Sequence, residues 1–178
     1  MAEASARLVY QPLSQEHEKL LWPVLTDPSV NAFFEEWPRT EADIRDEFER
    51  MIAGPGVRSL PEKWLNFAVL RAADGIALGR VQATIQTGFA ETAFVFGRDH
   101  WGMGYATEAG HWLHAHLATH YSVSEFWFVV RPDNVRSRRL AARLGYVPVE
   151  DAADWPSLRS YDPGDLVLSR LAIRSVTV

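Results

Sequence analysis

Cysteine is absent from this 178-residue chain, which excludes disulfides, thiolate metal sites and a covalent cysteine nucleophile. Basic residues are outnumbered, with 18 Lys and Arg against 23 Asp and Glu, leaving a net charge of −5 and a pI near 5.7. A surface of that sign does not suit a groove that neutralises phosphates, so no nucleic-acid partner is expected; it suits cationic partners such as amines. No run approaches the ~18 apolar residues a membrane helix needs. The opening stretch MAEASARLVY also lacks a basic region followed by an apolar core. The expectation is a cytoplasmic protein with no membrane partner. Internal repeats, low-complexity tracts and linker-like stretches are lacking too. With 47% hydrophobic residues, the chain is long enough for one packed domain over 1–178 and too short for two ordinary ones.

What is present reads as alternating strands and helices. Residues 6–11 form a short strand, and Ser14 with Glu16 and Glu18 supplies the cap and acidic first turn of a helix reaching Trp22 or Leu25. Thr40 caps a second helix, EADIRDEFERMIAG, in which Ile44, Phe48, Met51 and Ile52 recur at helical spacing and Gly54 marks the end. WLNFAVLRAADGIALGRVQATIQTG and ETAFVFG hold three runs rich in β-branched and aromatic residues, the first two joined by the turn signal Ala73-Asp74-Gly75. From Gly104 the period turns helical, with Ala106, Ala109, Gly110, Leu113 and Leu117 in one stripe as far as about His120. VSEFWFVV is the next strand; Pro132-Asp133-Asn134 caps a short helix ending at Gly145. A strand at 146–149, a polar loop at 156–164 and the strand DLVLSRLAI follow. This order predicts an α/β (α+β) architecture, a mixed, mostly antiparallel central sheet of six to seven strands flanked by helices on both faces.

The stretch HWGMGYATEA (100–109) places Gly102 and Gly104 between a strand and a helix. The first amides of a helix are unpaired and lie at the positive end of its dipole, so such a junction is an anion site, and glycine lets a phosphate approach the backbone. Glycines there also serve plain turn geometry, and both readings stand at this point. A dinucleotide fingerprint would need a third glycine and a distant acidic residue, and a Walker loop would need Gly-Lys-Ser/Thr; neither is present.

The run HWLHAHLATH puts His111, His114, His116 and His120 on one helix. At ~100° per residue, with Ala106 as zero, His111 and His114 fall near ~140° and ~80°, His116 and His120 near ~280° and ~320°. They straddle the apolar stripe, so four cannot converge on one ion, and the pair His116 and His120 lacks an obvious third ligand. Surface histidines and no metal are expected.

HWGMGYATEA, RPDNVRSRRLAARLGY (131–146) and RLVYQPL near the start resemble the GNAT superfamily of acyl-CoA-dependent N-acyltransferases, most closely the branch typified by the ribosomal-protein N-terminal acetyltransferases. The resemblance covers residues 6 to about 173, and its two main motifs ~30 residues apart, in the right order, are more specific than either alone. It implies the GNAT-like acyl-CoA N-acyltransferase fold with acetyl-CoA as co-substrate. In the family, Gln or Arg, two residues, Gly, one residue, then Gly or Ala hold the coenzyme A pyrophosphate on backbone amides. The matching positions are Trp101, Gly104 and Ala106, so the implied cofactor-binding loop is Trp101, Gly102, Met103, Gly104, Tyr105 and Ala106. Trp101 departs from the consensus, losing a polar side chain but not the amides.

The same resemblance implies further roles. Main-chain groups of Phe94 and Phe96 would pair with pantetheine as with an added strand, where the sheet splays open after a bulge, and an N–H nearby would polarise the thioester carbonyl. Arg98 stands where the family often has proline and falls on the cofactor side of that strand's end, or is a solvated loop charge. Asn134 caps a helix and reaches the pantetheine arm. Many members carry a late tyrosine that protonates the departing thiolate; its position here is Ala141 or Ala142, and Ser137, one turn after Asn134, is the candidate in its place, or is an ordinary serine in the first turn of a surface helix. One of Arg136, Arg138 and Arg139, the last assigned to the cofactor, would meet the 3′-phosphate, or the three are ordinary helix-surface charges.

Attack by an amine needs a proton acceptor. Glu91, His100 and Glu108 are candidates, with Glu91 preferred because the helix dipole already accounts for Glu108. Phe34, Glu35, Glu36 and Trp37 match the family's acceptor-side segment, or are ordinary surface loop. The implied function is direct transfer of an acetyl group, in a ternary complex, to a primary amine on a small molecule or a protein N-terminus, by a monomer or homodimer. Two rivals stand beside it. One is a non-catalytic acyl-CoA-binding or sensor module, favoured by the missing tyrosine and disfavoured by Asn134 and Ser137. The other is a Rossmann-type nucleotide binder, distinguished by binding NAD.

Overall fold

A computed structural model describes residues 3–33, 40–56 and 62–172. In chain order its elements are β1 (Glu3–Ala4), β2 (Leu8–Pro12), α1 (Glu16–Leu25), α2 (Pro28–Asn31), α3 (Glu41–Ala53), β3 (Lys63–Arg71), β4 (Ala77–Ile85), β5 (Phe89–Phe96), α4 (Tyr105–Tyr121), β6 (Glu125–Val130), α5 (Val135–Arg143), β7 (Val147–Pro148) and β8 (Leu166–Leu171). The strands form one sheet in the order β1-β2-β3-β4-β5-β6-β8-β7. Among the described residues only β5 and β6 pair in parallel. A parallel pair needs a crossover, and α4 supplies it.

Local chemistry accounts for much of this. Thr40 and Asp43 form a reciprocal capping box at the start of α3, Thr40 Oγ1 accepting from the Asp43 amide at 3.2 Å and Asp43 Oδ2 from the Thr40 amide at 2.6 Å. α1 differs from the expectation. Its N-cap, Gln15, makes no side-chain cap, and Ser14 instead turns to the ring of buried His17, which accepts its amide at 3.0 Å. Two elements go beyond the sequence reading. β1 adds an eighth strand to the six or seven expected, and α2 is a single turn started by Asp27, which accepts from the Ser29 amide at 2.7 Å, with Pro28 just after it.

Apolar side chains fill both faces of the sheet. On one, Ala109, Leu113 and Leu117 of α4 and Ala141 of α5 pack on Leu8, Tyr10, Val69, Val81 and Phe126. On the other, Leu21 and Leu25 of α1 with Ile44 and Phe48 of α3 cover Ala68 and Val95. Each fully buried Leu, Ile or Phe contributes about 1.5–3 kcal/mol of transfer free energy. The stripe read from α4 is the buried one, but it is wider than expected, because His114 and His116 are buried with it.

Candidate active site

Between β5 and β6 the sheet comes apart. Their register holds for three pairs, Phe89 with Glu125, Ala90 with Phe126 and Glu91 with Trp127. Beyond these, β5 stays paired to β4 and β6 to β8, and a cleft of about 990 Å³ opens between them, a size that suits a ligand pocket. A bulge in β5 is not the cause. The β4–β5 register runs unbroken, and the shift lies between β3 and β4 at Val69 and Leu70.

Side chains pin the fork. Thr92, just past the last pair, bonds through its hydroxyl to the Trp127 carbonyl at 3.3 Å and to the Tyr146 hydroxyl at 2.7 Å. Behind it, His114 Nε2 lies 2.7 Å from Tyr146 Oη, and Arg170 Nη1 lies 3.1 Å from His114 Nδ1. A guanidinium only donates, so Nδ1 accepts and Nε2 carries the proton. Every further role follows: His114 donates to Tyr146, Tyr146 to Thr92, and Thr92 to the Trp127 carbonyl. The expected surface histidine is therefore a buried, neutral strut.

Burial, then the charge of Arg170, then His111, lowers the His114 pKa from 6.5 to about 3. The unfolded chain takes up a proton near pH 6.5 that the folded one refuses until about pH 3. The stabilisation is complete above 6.5 and is lost as pH falls, at up to ~1.4 kcal/mol per pH unit. Urea midpoints measured from pH 6.5 down to 5 should fall more steeply for the wild type than for His114→Asn, and equal slopes would contradict the assignment.

At the cleft's far end, Gly102 and Gly104 have φ of 75° and 80°, and Gly104 is the left-handed N-cap of α4 with no side-chain cap. Gly102, Gly104, Tyr105, Ala106 and Thr107 line the wall, and the first amides of α4 have no intrahelical acceptor. Arg7 braces this turn, donating from Nη1 to the Met103 carbonyl at 3.0 Å and stacking over Tyr105 at 4.6 Å. Glu108 holds Arg7 in turn, accepting from its Nε at 2.7 Å, its amide at 2.8 Å and Ser5 Oγ at 2.7 Å. Desolvation raises the Glu108 pKa, but the bonds from Ser5 and Arg7 outweigh it and hold the carboxyl below its ordinary value. A carboxylate so engaged is a clamp.

Trp101, where the family has Gln or Arg, donates its indole N–H to the Phe96 carbonyl at 2.8 Å and lies under the Arg136 guanidinium at 3.4 Å. It thus fixes the end of β5 against α5. Because the Gly97 amide bonds across to Leu78 of β4, strand alternation turns the main-chain groups of Phe96 and Phe94 toward the cleft. On the opposite wall, Asn134 Oδ1 caps α5 by accepting from the Ser137 amide at 3.1 Å. Ser137 is half-buried, and its hydroxyl has no hydrogen-bond partner among the described residues.

The cleft therefore gathers Phe94, Phe96, Trp101, Gly102, Gly104, Tyr105, Ala106, Asn134, Ser137 and Arg139 around one space, and leaves Arg98, Met103 and Glu91 off its lining. Arg98 lies on a separate depression with Asp27 and Asp74. Glu91 accepts from the amides of Arg159 and Ser160 at 2.8 and 3.0 Å and from the Ser160 hydroxyl. These bonds hold Ser160 in the cleft wall, a different job from the proton acceptor expected. Ala141 is 1% exposed and Ala142 is off the wall; Leu140 and Arg143 take the facing positions. Phe34, Glu35, Glu36 and Trp37 lie outside the described residues, although their neighbours Val30 and Phe33 line the cleft. Ser160, Asp162 and Asp165 also line the cleft, and nothing in the sequence marks them, since their loop carries no periodicity and Ser160 reaches the wall through Glu91.

The family description that matches is the acetyltransferase (GNAT) domain, over residues 7–147. The chain belongs to the GNAT acetyltransferase family. Among solved structures, this GNAT chain is similar to the GNAT-family acetyltransferase from Bacillus anthracis, with 17% identity over 97% of this chain and 99% of that one and a TM-score of 0.78. It is also similar to spermidine N-acetyltransferase from Vibrio cholerae in complex with CoA and spermine, with 14% identity, 94% and 97% coverage and a TM-score of 0.72. A structure described as a ribosomal-protein-serine acetyltransferase from Vibrio cholerae shows 16% identity, 96% and 97% coverage and a TM-score of 0.71. At these identities the likeness is one of fold. No curated protein sequence matches the chain. GNAT acetyltransferases use acetyl-CoA, and the junction of helix amides with a split sheet fits such a ligand, offering donors for a diphosphate and strand edges for an amide-bearing arm. Among the described residues, no helix is long and apolar enough to cross a membrane.

Proposed function

We propose that this GNAT domain transfers an acetyl group from acetyl-CoA directly to a primary amine, on a small molecule or a protein N-terminus. The observation that carries this reading is the convergence on one cleft of the α4 amides, the outward main chain of Phe94 and the Ser137 hydroxyl, which has no hydrogen-bond partner among the described residues. The thioester supplies the activated acetyl group; an N–C bond forms as the C–S bond breaks, and the proton the amine sheds passes through water to the leaving sulfur. Amides of Gly102 to Ala106 hold the diphosphate, and Phe94 and Phe96 align the arm. Arg139, exposed at the cleft wall, meets the 3′-phosphate. Ser137 stabilises or protonates the leaving thiolate, the work of the absent tyrosine. Glu91 acts at one remove, positioning Ser160. The acidic residues Asp162 and Asp165 at the cleft and the overall negative charge favour a cationic acceptor.

Thiol release from acetyl-CoA, followed across a panel of polyamines, small amines and peptides with free N-termini, tests the proposal. Ser137→Ala should lower kcat about a hundredfold, the lower end for general acid catalysis, with acetyl-CoA affinity unchanged. Equal rates would remove Ser137 from the chemistry. Acetyl-CoA binding without turnover on any amine would favour the sensor module.

A further inference from the structure

Two of the four α4 histidines are not at the surface, and one of them assembles a site. His116 is 9% exposed, with its ring set against Phe67 at 5.5 Å and Trp112 at 5.0 Å and with His120 at 4.6 Å. Its Nδ1 lies 3.0 Å from Glu3 Oε2. Its Nε2 is buried without a hydrogen-bond partner, so that carboxylate is the ring's one polar contact among the described residues. Pairing of β1 with β2, Glu3 opposite Tyr10, carries Glu3 to α4 from 113 residues away in sequence. One oxygen of Glu3 and one nitrogen from each of His116 and His120 lie within 4.8 Å of one another. Glu3 thus brings to the two histidines a third donor that the sequence does not reveal.

We propose that Glu3, His116 and His120 bind a divalent transition-metal ion, zinc foremost, with water at the open coordination position. Two imidazoles and a carboxylate are a donor set zinc takes readily, at ~2.1 Å per bond. A tetrahedron of that size has edges of about 3.4 Å, and the Glu3–His116 edge is already 3.0 Å. The neighbouring rings hold His116 in place, while the side chain of Glu3, 41% exposed, and the exposed His120 are free to rotate and close the remaining distance. None of the three lines the cleft. The ion ties the edge strand β1 to the last turn of α4 and takes no part in acetyl transfer.

Isothermal titration of tag-free, EDTA-treated protein with zinc chloride tests this directly. The expected result is a single equivalent bound and a rise in Tm of about 5–10 °C at a hundredfold excess over Kd. Glu3→Gln and His120→Ala should each weaken binding by more than about tenfold, the scale on which even outer-shell changes act. His111→Asn, on the same helix, should leave it unchanged, and Glu3→Gln should bind acetyl-CoA normally. No heat and no Tm shift in the wild type, or zinc bound equally well by His120→Ala, would overturn the proposal.

Discussion

Gly104→Val should weaken acetyl-CoA binding about a hundredfold or more while the protein stays folded. Space is not the obstacle, since a Cβ at Gly104 would meet Arg7 Nη2 at an ordinary 3.5 Å. The backbone is. At φ 80° a β-branched residue is strained by about 1–3 kcal/mol, and the turn relieves that strain by rotating away, which re-aims the amides that start α4. Each charge-assisted hydrogen bond to a phosphate lost in this way costs about 1.5–3 kcal/mol, and the valine methyls also obstruct the phosphate's approach. Calorimetric titration with acetyl-CoA measures the loss, and a thermal melt confirms the fold. Gly104→Ala, strained but unbranched, should fall between valine and wild type. Unchanged affinity in the valine variant would remove the loop from cofactor binding.

Gly79→Ala should cost about 3 kcal/mol of stability, the upper end of what overpacking typically costs, because backbone has to move to admit the side chain. A Cβ there would stand 2.0 Å from the Val95 carbonyl oxygen and 2.8 Å from Phe96 Cα, and a main-chain atom cannot rotate out of the way. β4 and β5 touch this closely beside the bulge, where Leu78 is the extra residue between the pairs Val69–Gly79 and Leu70–Ala77. Pushing them apart also displaces Phe96, whose carbonyl anchors Trp101. Urea unfolding should show a lower midpoint at constant m, with weaker acetyl-CoA binding in the protein that remains folded. A loss under about 1 kcal/mol would mean the two strands are not held this closely in solution.

Features set by neighbours in sequence were legible. The capping box at Thr40 and Asp43, the meander from β3 to β5 and the stripe on α4 each depend on residues a few positions apart. The helix-opening glycines were legible too, because positive φ leaves few alternatives to glycine. Long-range partners were not. A helical wheel places His114 about 80° from the centre of the stripe, but only the fold brings Tyr146 and Arg170 to that flank and turns a surface position into a buried strut. Glu91 shows the same limit: an acidic residue on a strand beside a cleft reads as a base until the loop at Arg159 and Ser160 arrives to bond it. Trp101 departs from the loop motif in sequence, and its indole and its stack with Arg136 replace a polar side chain by a different brace.

A crystal structure with bound acetyl-CoA bears most directly on the central claim, that the opening of α4 and the split between β5 and β6 form one cofactor site. The diphosphate oxygens should lie within ~3 Å of the amides between Gly102 and Ala106, with the pantetheine arm along Phe94 and the sulfur beside the Ser137 hydroxyl. Density for the nucleotide in any other place, the depression beside Arg98 included, would contradict the account.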